Sequence, residues 1–181
     1  MSLMLNGTTH TETRLQANGR DQPREGMFDA EGVQLRYVTA GTGEPVLLLH
    51  GITRTIEVDW KEPGLFDALT EEFRVIALDQ RGHGRSDKPD EKSSYGMEMV
   101  YDVIRLLDHL GLEAAHVIGY SMGGRIALKM VITDPTRLRS IVLAGSGGVR
   151  HPADLTLWND LASSLEHGGG IQTLIRAIWP D

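Results

Sequence analysis

Four short, almost wholly apolar runs constrain the fold of this chain most: Val46 to Leu49, Val75 to Leu78, Ala115 to Ile118 and Ile141 to Ala144. A strand apolar on both faces belongs inside a sheet covered from both sides, as parallel strands flanked by helices are. Helical patterns fill the intervals. Leu65, Phe66, Leu69 and Phe73 follow Pro63, a residue suited to a first helical turn. Val100, Val103, Ile104, Leu107 and Leu110 share one face of a helix that Gly111 ends. Gly124 to Thr133 carries Ile126, Ala127, Met130 and Val131 at helical spacing and stops before Asp134-Pro135. Ahead of the runs, Gln34 to Ala40 sets Leu35, Tyr37 and Thr39 against Gln34, Arg36 and Val38, which predicts a strand paired antiparallel with Met27 to Ala30 across Glu31-Gly32. Strand alternating with helix gives an α/β fold: a mostly parallel, doubly wound sheet preceded by antiparallel strands.

This core is expected over residues 26–148. Residues 1–25, rich in Thr, Asn, Gly, Arg and Gln, read as a polar mobile tail without the apolar stretch of a signal peptide. After Gly145-Ser146-Gly147-Gly148 the strand–helix rhythm ceases. Leu155, Trp158, Leu161 and Leu165 suggest an amphipathic helix, and Ile171 to Ile178 another.

Composition removes whole classes of function. A net charge of -7 with no Lys/Arg cluster argues against a nucleic-acid partner. The absence of cysteine removes disulfides, a thiol nucleophile and thiolate metal sites. No apolar stretch approaches a membrane span, so no membrane partner is expected and the cytoplasm is the default compartment. No H-E-x-x-H or close set of His and carboxylates calls for a metal, and His10, His109 and His151 read as surface or helix-face residues. Gly145, Gly147 and Gly148 fit neither G-x-G-x-x-G nor a Walker loop, so no cofactor is expected. Nothing in the pattern fixes an oligomeric state.

Chemistry concentrates at Gly119-Tyr120-Ser121-Met122-Gly123, between the run ending at Ile118 and the helix opening at Gly124. A serine on so sharp a turn needs a strained backbone, and the glycines relieve crowding where strand and helix nearly touch. The side chain would stand above the sheet edge, beside the free N–H groups of a helix N-terminus that favour developing negative charge. His50-Gly51 closes the strand Val46 to Leu49. A loop there can aim a backbone N–H at a carbonyl oxygen held against Ser121, so Ile52 N–H and Met122 N–H are the candidate oxyanion donors. Asp79-Gln80-Arg81-Gly82-His83-Gly84-Arg85-Ser86-Asp87 closes another strand; it reads as a loop fixed by charge-assisted hydrogen bonds, scaffold rather than chemistry. His167-Gly168-Gly169-Gly170 follows Ser121 instead of preceding it, and reads as a break between helices rather than an oxyanion motif.

Taken in this order and spacing, His50-Gly51, the Asp79–Asp87 stretch and Gly119-Tyr120-Ser121-Met122-Gly123-Gly124 closely resemble the α/β-hydrolase superfamily of cap-bearing serine hydrolases. The resemblance covers about residues 27–148. It implies Ser121 as nucleophile and Ile52 and Met122 N–H as the oxyanion hole, with His50, Gly51, Gly119, Gly123 and Gly124 as structural support and a small acyl compound as substrate. Serine at the elbow, where dehalogenases and epoxide hydrolases carry aspartate, points to esterases, lactone hydrolases, carbon–carbon bond hydrolases and a synthase that share this elbow. The family's acid and histidine follow later strands. Asp154 and Asp160 come too soon after Ser121, and His151 and His167 have no strand before them. The chain is therefore expected to be the N-terminal part of a longer hydrolase, with residues 149–181 opening its helical cap. Alone it is expected to be poorly stable, with an unpaired edge at Ile141 to Ala144, and nearly inactive; an active chain would have to use His50 or His83 as base. A binding protein on the same scaffold is the competing class, and a lyase or synthase using the same site is a third.

Overall fold

The computed structural model describes residues 22–146, together with Ser163 and His167. Residues 1–21 of the expected polar tail, the glycines Gly147 and Gly148, and the cap helices expected from residue 149 onward lie outside the described residues, save that His167 N–H donates to Ser163 O at 3.2 Å.

Among the described residues, six strands form one sheet in the order β1-β2-β4-β3-β5-β6. They are β1 (Arg24–Asp29), β2 (Gln34–Ala40), β3 (Pro45–Leu49), β4 (Arg74–Leu78), β5 (Ala115–Tyr120) and β6 (Leu138–Ala144). β1 pairs antiparallel with β2, and β2 with β4; the pairs β3–β4, β3–β5 and β5–β6 are parallel. β1 starts at Arg24, two residues inside the segment expected as a polar tail. The β1–β2 turn places Glu31 at φ 57° and Gly32 at φ 89°, with Ala30 N–H donating to Val33 O at 2.8 Å. Two positive φ values suit the right-handed twist of a hairpin.

Alternation along the central strands divides the interior. Leu47, Leu49, Ile76, Leu78 and Val117 face α2 (Glu98–His109) and α3 (Met122–Thr133). Val46, Leu48, Val75 and Ala77 face Phe66 of α1 (Leu65–Leu69) with Ile56 and Trp60. Helices on both faces are why the central runs read as continuous apolar stretches. α2 ends as expected at Gly111, φ 66°: its N–H donates to Asp108 O at 3.0 Å while Leu112 N–H donates to Leu107 O at 2.9 Å, which caps the last carbonyls.

Two details depart from the sequence reading. α1 stops at Leu69 instead of running to Phe73, and Gly64, φ 79°, separates it from Pro63. A π-helical turn, Glu57–Lys61, precedes it. β6 stands at the edge of the sheet, as expected for Ile141 to Ala144: among the described residues it pairs only with β5, and Val142, 52% exposed, and Leu143 are left uncovered. Among the described residues, no helix is long and apolar enough to cross a membrane.

Candidate active site

The chain passes from β3 to β4 on one side of β3 and returns to β5 on the other, so the carboxyl ends of β3 and β5 flank the crevice where such sheets bind ligands. Ser121 stands at that edge, between the end of β5 at Tyr120 and the first residue of α3, Met122. Its backbone is at φ 50°, ψ -106°. A non-glycine residue there is strained by about 1–3 kcal/mol and persists only where its surroundings over-determine it.

Those surroundings are visible atom by atom. Ser121 N–H donates to Ala144 O at 2.8 Å, and Ser146 Oγ donates to Ser121 O at 2.7 Å. Gly123 N–H donates to His50 O at 3.2 Å, tying the start of α3 to the end of β3. A β-carbon on Gly119 would lie 2.5 Å from Gly123 backbone atoms, and one on Gly124 would lie 2.6 Å from Ser146 Cβ. The three elbow glycines are contact points between strand, helix and neighbouring strand.

Beyond β3 the chain turns through Gly51, Ile52 and Thr53, with Arg54 N–H donating to Gly51 O at 3.3 Å. Thr53 has φ 61°, an outlier for a β-branched residue. His50 is fully buried under this turn. Its Nε2 accepts from Gln80 N–H at 3.1 Å, so Nδ1 carries the proton and donates to Gly51 O at 2.8 Å. Burial pushes the imidazole below its ordinary range, against the hydrogen bond to Gly51 and together with nearby His83. With both ring nitrogens engaged, His50 has none left for Ser121. The His83 ring lies beside it, tilted by 56° with centroids 5.2 Å apart, and its Nδ1 lies 3.1 Å from Arg81 O. Ile52 N–H has no acceptor among the described residues, and Met122, first in α3, has no helical acceptor four residues back.

The Asp79–Asp87 loop is scaffold. Asp79, fully buried, accepts from Arg36 Nη1 at 2.8 Å, Ile56 N–H at 3.0 Å and Arg85 N–H at 3.0 Å. Arg81 grips Asp102 of α2 through two bonds of 2.5 and 2.6 Å. Sequence reasoning missed Arg36, which also meets Glu25 at 2.9 Å and Glu57 at 2.8 Å. Burial alone would lower its pKa; hydrogen bonds to Glu57, Glu25 and Asp79 outweigh that and raise it. It missed Asp59 and Ser146 as well, since nothing in their spacing marks them. A cavity of about 190 Å³ opens beside Tyr120, lined by Arg54, Asp59, Trp60, Pro63 and Ala144.

A family model described as alpha/beta hydrolase fold matches residues 44–167. The chain belongs to the α/β-hydrolase fold family. The chain is 37% identical over 123 residues to the dihydrolipoyllysine-residue acetyltransferase component of an acetoin cleaving system of Cupriavidus necator, covering 66% of this chain and 31% of that protein. It is 35% identical over 126 residues to a 2-hydroxymuconate semialdehyde hydrolase of Pseudomonas sp. strain CF600, covering 68% and 44%. Among solved structures, a hydrolase from Pseudomonas aeruginosa superposes with a TM-score of 0.69 at 30% identity, covering 78% of this chain and 52% of that one. Epoxide hydrolases are also among the matches. The chain spans less than half the length of the curated relatives it matches.

Proposed function

We propose that the protein containing this chain is a serine hydrolase in which Ser121 attacks the carbonyl carbon of an ester, a lactone or a related acyl compound. The observation that carries the reading is the strained backbone of Ser121 at the mouth of the β3–β5 crevice, held by bonds to Ala144 and Ser146. Strain of this kind concentrates where geometry serves a reaction. As Ser121 Oγ bonds to the carbonyl carbon, its proton passes to a base, and the former carbonyl oxygen gathers charge between Ile52 N–H and Met122 N–H. Collapse of that adduct expels the alcohol with a proton and leaves an acyl-serine that water hydrolyses. Removing one such donor from a site of this type costs about 100- to 1000-fold in rate. The engagement of His50 supports a base drawn from sequence C-terminal to β6. The cavity beside Tyr120 is the volume available to the acyl or leaving group.

A second reading, hydrolysis of a carbon–carbon bond at the same serine, is favoured by the 35% identity to the 2-hydroxymuconate semialdehyde hydrolase. Both are tested by assaying p-nitrophenyl acetate and 2-hydroxymuconate semialdehyde with this chain, with the complete open reading frame that contains it, and with their Ser121→Ala variants. Ester turnover by the complete protein that disappears in Ser121→Ala supports the first reading. A clear preference for the semialdehyde supports the second. Inertness toward both moves the protein to the class of non-catalytic binders.

A further inference from the structure

The turn carrying Ile52 is clamped from its far side by one carboxylate. Asp59 Oδ2 accepts from Gly51 N–H at 2.9 Å, and Asp59 Oδ1 accepts from Arg54 Nε at 2.8 Å. The two donors flank Ile52 and Thr53, so a single side chain holds the backbone entering the segment and the Arg54 side chain that leaves it. Asp59 is itself immobilised. It is 5% exposed and lies in the middle of the π-helical turn, which is anchored by buried Trp60 and by Ile56 N–H on Asp79. Extra-residue turns of this type recur at functional sites because they re-aim a side chain that a regular helix would direct elsewhere. From the opposite side His50 Nδ1–H holds Gly51 O. Between these two grips Thr53 is forced to a positive φ and Ile52 N–H is left without an acceptor among the described residues.

We propose that Asp59 is a positioning residue that sets the place of the Ile52 N–H by holding Gly51 and Arg54. The inference rests on the reading of that N–H as an oxyanion donor. Asp59 touches no reacting atom; its effect is on how closely the donor meets an oxygen that exists only as the reaction proceeds. Such a residue acts on kcat with little effect on KM.

The experiment compares Asp59→Ala and Asp59→Asn with wild type in two measurements. Amide hydrogen exchange in the 15N-labelled complete protein is expected to speed up about tenfold or more at Gly51 in Asp59→Ala, with a shift of the Ile52 amide resonance and unchanged exchange in the central strands. Asn, which still offers an acceptor to Gly51, keeps most of the protection. In the complete protein, kcat on p-nitrophenyl acetate is expected to fall about 10- to 100-fold in Asp59→Ala with KM nearly constant, Asn restoring most of it. Unchanged Gly51 exchange and Ile52 resonance overturn the clamp whether or not there is turnover. An undiminished kcat in a protein whose turnover needs Ser121 overturns the positioning role. Turnover that survives Ser121→Ala instead sinks the serine reading, and the exchange data still decide the clamp.

Discussion

The backbone of Gly123 lies so close to Leu49 that a β-carbon at position 123 would stand 2.0 Å from the Leu49 carbonyl oxygen. The obstacle is backbone of a central strand, so no side-chain rotation relieves it. Gly123→Ala is therefore expected to destabilise the protein by about 3 kcal/mol or more, at the upper end of overpacking effects. Gly124→Ala, whose nearest obstacle is the small Ser146 side chain at 2.6 Å, should cost less. Urea unfolding of both variants checks the ranking, and equal effects would contradict it.

Ser121 gives the opposite sign. At φ 50°, ψ -106° any residue with a β-carbon is strained, and glycine is not. Ser121→Gly should gain about 1–2 kcal/mol over Ser121→Ala, after the extra freedom of glycine in the unfolded chain is subtracted. Both lose the hydroxyl, so the pair separates backbone strain from chemistry. Melting temperatures in which Gly is no better than Ala would refute the strain.

Arg36 is 2% exposed and its partner Asp79 is fully buried. Arg36→Met strands that carboxylate and is expected to cost about 3–5 kcal/mol. Adding Asp79→Asn to Arg36→Met should cost less than the sum of the two single changes, because the second no longer breaks an ion pair. An additive double-mutant cycle would show that the two side chains do not act as a unit.

His50 makes stability depend on pH. An unfolded imidazole titrates near 6.5, and burial holds the folded one lower. In the window between those values the unfolded state binds more protons, so stability rises with pH. The contribution is whole above about pH 6.5 and is lost as pH falls through the folded-state value. Wild type should lose more melting temperature than His50→Asn between about pH 7.5 and pH 5.5. Parallel losses in the two proteins would mean that His50 does not titrate there.

What the sequence displayed and what it hid divide along a physical line. The central strands were legible because burial on two faces leaves runs such as Val75 to Leu78 with no polar interruption. The end of α2 was legible because Gly111 supplies a backbone conformation that few residues accept. Placement of Ser121 between strand and helix followed from glycines whose only virtue is lacking a side chain. Arg36 could not be found this way: on a strand it reads as a solvent-facing polar residue, and only the fold brings Glu25, Glu57 and Asp79 to it. The π-helical turn was hidden for the same reason, since the partner of its Asp59 is a loop eight residues away. The early end of α1 at Leu69 was hidden too, because Phe73 packs on the same cluster and so keeps the helical spacing without being in the helix.

The bonds joining Ser121 to Ala144 and Ser146 also impose an order in time. Ser146 follows Ser121 by 25 residues, an interval of about 1–5 s at ordinary rates of synthesis. β5 and the first turn of α3 are complete before that, but the two groups that hold the serine in its strained conformation belong to the end of β6 and the residues just after it. Until that strand docks, the turn is free to relax. The serine can take its strained posture only once β6 has paired with β5 and brought Ala144 and Ser146 to it.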